Sequence, residues 1–196
     1  MMTREEITGA LEDLGRMAQD ANVTVDLAIY GGSAIALEWG FRTTTKDVDV
    51  VIQNSSAFFL DAARRIALAR GWQENWINDA VKGFVSSQGD HRMFAEYMDA
   101  TRQSGLRVFV PTAEYLLAMK CMAMRIDNAD NNDVSDIKHL LVDLGLKTTD
   151  DVLKIVEKYY PQNKISPKTL YGVQEILQKL HEHEEGQPES SATKPG

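Results

Sequence analysis

Residues 25–52 read VDLAIYGGSAIALEWGFRTTTKDVDVVI, and this stretch decides the fold. Val25 to Tyr30 is a short apolar run that ends at Gly31-Gly32, and Ser33 to Trp39 then has the pattern of a helix. Asp47 to Ile52 alternates polar and apolar residues before it becomes apolar, which is typical of a strand. The stretch therefore predicts a strand, a glycine turn, a helix and a second strand.

The flanking segments predict a small sheet followed by a bundle of helices. We expect helices at residues 4–20 and 58–70, strands at 93–98 and 107–110, and later helices at about 113–125, 134–144, 149–160 and 167–181. Residues 71–89 are ambiguous, although 82–86 could form a strand. The predicted fold class is α/β (α+β): a mixed-sheet core at 1–111, a C-terminal α-helical lobe packed on it at 112–182, and a disordered tail at 183–196.

Composition narrows the classes of protein to which the chain could belong. Of the 196 residues, 43% are hydrophobic, which is enough to bury a core. The net charge of −8 argues against nonspecific coating of nucleic acid, because phosphate neutralisation needs clustered Lys and Arg. The N-terminal segment is charged and no apolar run approaches the length of a membrane span, so we expect a cytoplasmic protein with no membrane partner.

The glycine turn and the acidic pair each indicate a chemistry. Gly31 and Gly32 let the backbone approach an anion at a helix N-terminus, and Ser33 adds a hydroxyl donor. Asp47 and Asp49 point to the same face of a strand, and two carboxylates there suit a divalent cation. Each feature also has a structural interpretation, a tight turn for the first and an exposed polar face for the second.

Taken together, these motifs resemble the DNA polymerase β-like nucleotidyltransferase superfamily, in its bacterial toxin–antitoxin and abortive-infection branch. The family signature is Gly-Gly or Gly-Ser, a short spacer and Asp-x-Asp in an apolar strand, here GGSAIALEWGFRTTTKDVDVVI. A later segment, VPTAEYLLAMKCMAMRIDNADNNDVSDIKHLL, is similar to the second motif of the same branch. The resemblance implies a nucleoside triphosphate and Mg²⁺ (or Mn²⁺) as ligands, with Arg42 and Thr45 at positions commonly occupied in the nucleotide site.

Four residues of the later segment are candidates for binding the nucleotide. Apolar residues surround Lys120 on its predicted helix, so its ammonium needs either an anionic partner such as a phosphate or a route to solvent. Arg125 could contact phosphate or pair with a nearby aspartate. Asp133 and Asp136 read by themselves as a helix cap and a first-turn acid, and their place in the motif makes them candidates.

A third carboxylate is expected from the resemblance, because active family members carry one on a later strand. There it completes the metal site and activates the attacking hydroxyl. Glu96 interrupts an otherwise apolar strand and is the first choice, with Asp99 as the alternative and an exposed strand residue as the structural interpretation.

The expected function is a nucleotidyltransferase that moves a nucleoside monophosphate from a nucleoside triphosphate to a hydroxyl group. Asp47, Asp49, Glu96 and Lys120 are the expected catalytic residues, and the first three are also the expected metal ligands. The resemblance implies a tRNA or protein acceptor and a role in a toxin–antitoxin or phage-defence system. The alternatives are a noncatalytic protein that binds a nucleotide or a partner, and an antitoxin that nucleotidylates its cognate toxin.

Overall fold

The computed structural model describes residues 1–54, 56–101, 103–124 and 132–185, with side chains described up to residue 182. The strands are β1 (Met2–Thr3), β2 (Val25–Tyr30), β3 (Thr44–Thr45), β4 (Val48–Ile52), β5 (Ile77–Asn78), β6 (His91–Met98) and β7 (Ser104–Pro111). The helices are α1 (Arg4–Asp20), α2 (Gly31–Glu38), α3 (Ser56–Arg70), α4 (Ala113–Ala123), α5 (Asn132–Asp143), α6 (Thr149–Tyr159) and α7 (Pro167–Glu185). The predicted mixed α/β class is confirmed.

The main sheet has five strands in the order β5-β4-β2-β7-β6. β2 lies antiparallel to β4 and parallel to β7, and β6 lies antiparallel to β7. The end of β2 therefore meets the start of β4, and Tyr30 lies opposite Asp49. This register brings the glycine turn and the acidic pair to one edge of the sheet.

One face of the sheet packs against α1 and α3. Val25, Leu27 and Ile29 alternate along β2 and are buried in this first core. Helix α1 begins at a capping box, in which the Thr3 side chain accepts from the backbone N–H of Glu6 and the Glu6 carboxylate accepts from that of Thr3.

The other face is covered at one end by the helical lobe. Ala28 and Tyr30, which alternate with the first set along β2, belong to a second core together with residues of α4 to α7. The lobe therefore packs directly on the sheet, next to the end of β2. Among the helices that the structure describes, none has the length and apolar character that crossing a bilayer requires.

Two sequence predictions need correction. The strand suggested at 82–86 is wrong: Ala80–Phe84 forms a short 3₁₀ helix, called the 3₁₀ segment below. Its first turn is held locally, since the Asn78 side chain accepts from the backbone N–H of Ala80, and such local bonds compete with strand pairing. The tail predicted from residue 183 also starts too early, because α7 continues to Glu185; the remaining tail lies outside the described residues. The predicted division into core and lobe stays a prediction.

Candidate nucleotide and metal site

The glycine turn allows two very close approaches. Gly31 has a φ of 61°, in the left-handed region, and a Cβ there would lie 2.7 Å from Oδ2 of Asp49. A Cβ on Gly32 would lie 2.7 Å from Cζ of Arg42. The backbone conformation of Gly31 therefore favours glycine, and at Gly32 the missing side chain leaves room for the Arg42 guanidinium.

Ser33 and Thr45 support the turn from inside. The Ser33 hydroxyl is buried and donates to the carbonyl of Tyr30 at 2.8 Å. The Thr45 hydroxyl is also buried and donates to the carbonyl of Asp47 at 3.0 Å. Each hydroxyl therefore fixes the backbone beside an element of the site, and the prediction that Ser33 and Thr45 bind a nucleotide stays a prediction.

The acidic pair lies at the start of β4. Asp49 is within the strand, whereas Asp47 comes just before it and its Oδ2 accepts from Nδ2 of Asn78 at 3.2 Å. Burial raises the pKa of Asp49 to about 6, and the neighbouring charge of Asp47 adds to the rise. The two carboxylates are therefore close enough to repel each other.

Lys120 is the centre of a buried ion-pair network. Its side-chain nitrogen lies 2.7 Å from Oδ1 of Asp133 and 2.7 Å from Oδ2 of Asp136. Arg42 reaches the same Oδ2 of Asp136 at 3.2 Å. Since Lys120 is only 8% exposed and Asp136 only 3%, the structure excludes the alternative in which Lys120 extends to solvent.

A cleft of about 290 Å³ brings several predicted residues together. Its polar lining residues are Gly31, Asp49, Lys120 and Asp133. Asp47 lies at the border of the site and lines a neighbouring groove of about 530 Å³ together with Lys46 and Trp72. The charges of Lys120 and Arg42 partly oppose the rise in the pKa of Asp49, so both cations act on this carboxylate.

Neither candidate for the third carboxylate reaches the pair. Glu96 lies opposite Arg107 in the sheet, and Arg107 lies opposite Asp26. Asp26 lies four residues before Tyr30 on β2, which corresponds to about 13 Å along a strand. Tyr30 is the residue that pairs with Asp49 across the sheet. Asp99 follows β6, where its side chain accepts from the backbone N–H groups of its own turn. Placing Glu96 or Asp99 in the metal site is therefore wrong in this register.

One predicted nucleotide-binding residue, Arg125, lies outside the described residues. Within the described ranges, no group of three or more His, Cys, Asp or Glu side chains is arranged to hold a metal ion. Outside the acidic pair, Asp133 is the described carboxylate that lines the cleft. Its charge also raises the pKa of Asp49.

The remaining acidic pair fits a hard divalent cation. Mg²⁺ prefers oxygen ligands. Two carboxylates that repel each other beside a partly buried cleft are stabilised in their ionised form by a nearby positive charge. The raised pKa of Asp49 is the observation that supports this fit.

Sequence reasoning missed three contributors to the site. Asn78 orients Asp47, and its position opposite Asp49 on β5 follows only from the sheet register. Phe84 lines the cleft from the 3₁₀ segment, in a region without a clear sequence pattern. His91 is the third: its Nε2 lies 2.7 Å from the hydroxyl of Tyr30, the residue before the glycine turn, and burial lowers its pKa.

Comparison with known proteins adds no family to this geometry. A scan against protein-family models found no match, and a search of curated proteins found none either.

Proposed function

We propose that the protein is a metal-dependent nucleotidyltransferase, which transfers a nucleoside monophosphate from a nucleoside triphosphate to a hydroxyl of an RNA or a protein. The observation that carries this proposal is the cleft where the glycine turn, Asp49 of the acidic pair and Lys120 face one another. An anion-binding turn and a cation in one cleft, with a pair of carboxylates of which one lines the cleft and the other lies at its border, are suited to binding a metal–triphosphate complex.

The roles of the residues follow from their positions. The backbone at Gly31 and the Lys120 ammonium would hold phosphate oxygens, and Asp47 and Asp49 would hold Mg²⁺ or Mn²⁺. The bound cation would neutralise charge that develops on the phosphate oxygens. Lys120 would exchange its bonds with Asp133 and Asp136 for bonds to phosphate, and Asp136 would retain Arg42.

The reaction is a substitution at the α-phosphorus. The acceptor hydroxyl oxygen forms a bond to the α-phosphorus while the bond from that phosphorus to the bridging oxygen breaks. Pyrophosphate leaves, and the hydroxyl proton passes to a carboxylate that lines the cleft. The protein contributes mainly by positioning the two reactants and by stabilising charge.

The acceptor and the cellular role come from the sequence resemblance alone. A tRNA, another RNA or a protein hydroxyl all fit the same chemistry, as does a cognate toxin or antitoxin partner. A toxin–antitoxin or phage-defence role is therefore part of the proposal and has no separate structural support.

A noncatalytic binding protein is the second candidate, and the position of Glu96 favours it. Glu96 and Asp99 both lie away from the acidic pair. A cleft that lacks the carboxylate that activates the hydroxyl would still bind a nucleotide.

The test is transfer of label from each of the four α-labelled nucleoside triphosphates, with Mg²⁺, to total tRNA or to candidate partner proteins. We expect the wild type to label an acceptor and the double variant Asp47→Ala/Asp49→Ala to lose labelling. Asp61→Ala is the matched control, because Asp61 is an exposed carboxylate that pairs with Arg65 on α3.

Binding measurements separate the two candidate functions. Mg²⁺-dependent binding of a triphosphate without transfer to any acceptor would favour the noncatalytic protein. Transfer that persists in the double variant would disprove the proposed metal site.

A further inference from the structure

The residues that line the cleft fall into two chemically different sets, called its walls below. The polar wall carries the groups described above. The apolar wall consists of Ala80, Val81, Phe84, Leu116, Met119 and Ala123. A ligand that fills the cleft therefore contacts both charged and apolar groups.

Helix α4 joins the two walls. Leu116, Met119, Lys120 and Ala123 follow the spacing of one helical face, and all four line the cleft. Leu116 lies four residues, about 6 Å along the helix axis, before Lys120. The apolar surface thus begins about one helical turn from the residue whose ammonium would bind phosphate.

Phe84 supplies an aromatic ring to the apolar wall. The ring is 39% exposed, although it is a large apolar side chain beside a core. Its backbone is anchored, because the Tyr160 hydroxyl donates to the Phe84 carbonyl and the 3₁₀ segment packs on β4 and α4. An anchored backbone that presents an exposed ring to a cleft is suited to stacking on a planar group.

We propose that the apolar wall is the nucleobase site, in which the base of the nucleoside triphosphate stacks on Phe84 and contacts Val81 and Met119 while Lys120 holds the phosphates. This inference rests on the proposed function, because it assumes that the polar wall binds a triphosphate. Every base has a π-face, so stacking tolerates all four bases. Purines offer the larger face and gain more from Phe84.

The acceptor is the alternative ligand for the Phe84 ring. Phe84 also lines a second cavity of about 400 Å³, together with Ser86, Tyr160 and Lys164. If the acceptor used the other side of Phe84, removing the ring would weaken acceptor binding and leave nucleotide affinity unchanged.

The test compares nucleotides with inorganic tripolyphosphate, which has the charge but no base. Binding to the full chain is measured by titration calorimetry with Mg²⁺ for ATP, GTP, CTP, UTP and tripolyphosphate. For Phe84→Ala we expect a loss of nucleotide affinity of about 5- to 100-fold, larger for purines, with unchanged tripolyphosphate affinity. Phe84→Trp should retain nucleotide affinity.

Leu68→Ala is the matched control, since Leu68 is 86% exposed on α3 and does not line the cleft. Thermal melting of each variant checks that the fold is retained. Unchanged nucleotide affinity in Phe84→Ala, or an equal loss for tripolyphosphate, would overturn the nucleobase site.

Different results would contradict the nucleobase site and the proposed function. If the wild type binds triphosphates and tripolyphosphate equally well, the nucleobase site is wrong and the proposed function stands. If the wild type binds neither, the proposed function fails and the nucleobase site fails with it.

Discussion

The sheet face that carries Asp26 and Asp49 has opposite arrangements of charge at its two ends. We call the end at Asp49 and Tyr30, next to helices α4 to α7, the lobe end, and the end at Asp26 the open end. At the lobe end, Asp49 lies opposite Tyr30 with a raised pKa beside the charge of Asp47. At the open end of the same face, Asp26 is held by two bonds from Arg107, at 2.6 Å and 2.7 Å. The first end keeps like charges close together, whereas the second pairs opposite charges.

The balance of charge at the lobe end remains negative. Among the described residues, the carboxylates of Asp47, Asp49, Asp133 and Asp136 face the cations Arg42 and Lys120. An excess of carboxylates beside a cleft costs stability unless a cation binds. The open end needs no ligand, because its aspartate already has a bidentate partner. The difference teaches that uncompensated charge, more than charge itself, marks the candidate site.

The largest effect is expected on breaking the ion-pair network at the lobe end. Asp136→Asn keeps the volume and removes the charge that Lys120 and Arg42 share. We expect a loss of about 3 kcal/mol in the free energy of unfolding, because the buried Lys120 would keep only Asp133 and the partly buried Arg42 would lose the carboxylate that it shares with Lys120. Urea unfolding measures it, with the exposed Asp143→Asn on the same helix as control. Equal stability of the two variants would contradict a buried network.

Removing a charge from the acidic pair should instead stabilise the folded protein. The pKa of Asp49 rises from 3.8 to about 6 on folding, so the ionised carboxylate destabilises the folded state. This cost is absent below pH 3.8, grows as the pH rises to about 6, and is constant above. We expect Asp49→Asn to be more stable than the wild type at pH 7 in EDTA, by about 1 kcal/mol after allowance for solvent screening.

Thermal melting across this pH range measures the effect. The two melting curves should converge as the pH falls towards 3.8. Mg²⁺ should raise the melting temperature of the wild type more than that of Asp49→Asn, because binding to the folded state stabilises it. A difference in stability that is the same at every pH would contradict the electrostatic cause.

Local patterns predicted most of the elements that build this site. α1 and β2 have the predicted bounds, since an amphipathic repeat and a short apolar run are local signals. The acidic pair and the glycine turn were predicted to lie together, and the register of β2 with β4 places them so. Lys120 was predicted to need either an anionic partner or a route to solvent, and the structure gives it two carboxylate partners.

The sequence predictions that were wrong concern the position of a residue along a strand and the structure of a local turn. Alternation predicts the face on which Glu96 lies, and that face is shared with Asp26 and Asp49. It gives no information about which end of the face a residue occupies, because that depends on pairing with a distant strand. Residues 82–86 show the second error: the Asn78 side chain accepts from the backbone N–H of Ala80, and such local bonds compete with strand pairing.

A smaller effect is expected from the open end. Arg107→Met removes the partner of Asp26 and retains much of the apolar stem. The pair is partly exposed, so we expect a loss in the free energy of unfolding that is smaller than the loss for Asp136→Asn. Mg²⁺-dependent nucleotide affinity should be unchanged, as titration calorimetry would measure. A tenfold change in that affinity would show that the two ends are coupled.

The smallest effect is expected for Glu96→Gln, and it is the sharpest test of the comparison. Glu96 lies in the sheet beside Arg107, where its charge acts on that guanidinium, and it is exposed. We expect a change within about 0.5 kcal/mol in unfolding free energy and unaltered label transfer, with Asp47→Asn as the variant that loses transfer. If Glu96→Gln abolished transfer while nucleotide binding persisted, Glu96 would be the hydroxyl-activating base. The open end of the sheet face would then belong to the active site, which requires β6 to shift its register on β7 and carry Glu96 towards Asp49.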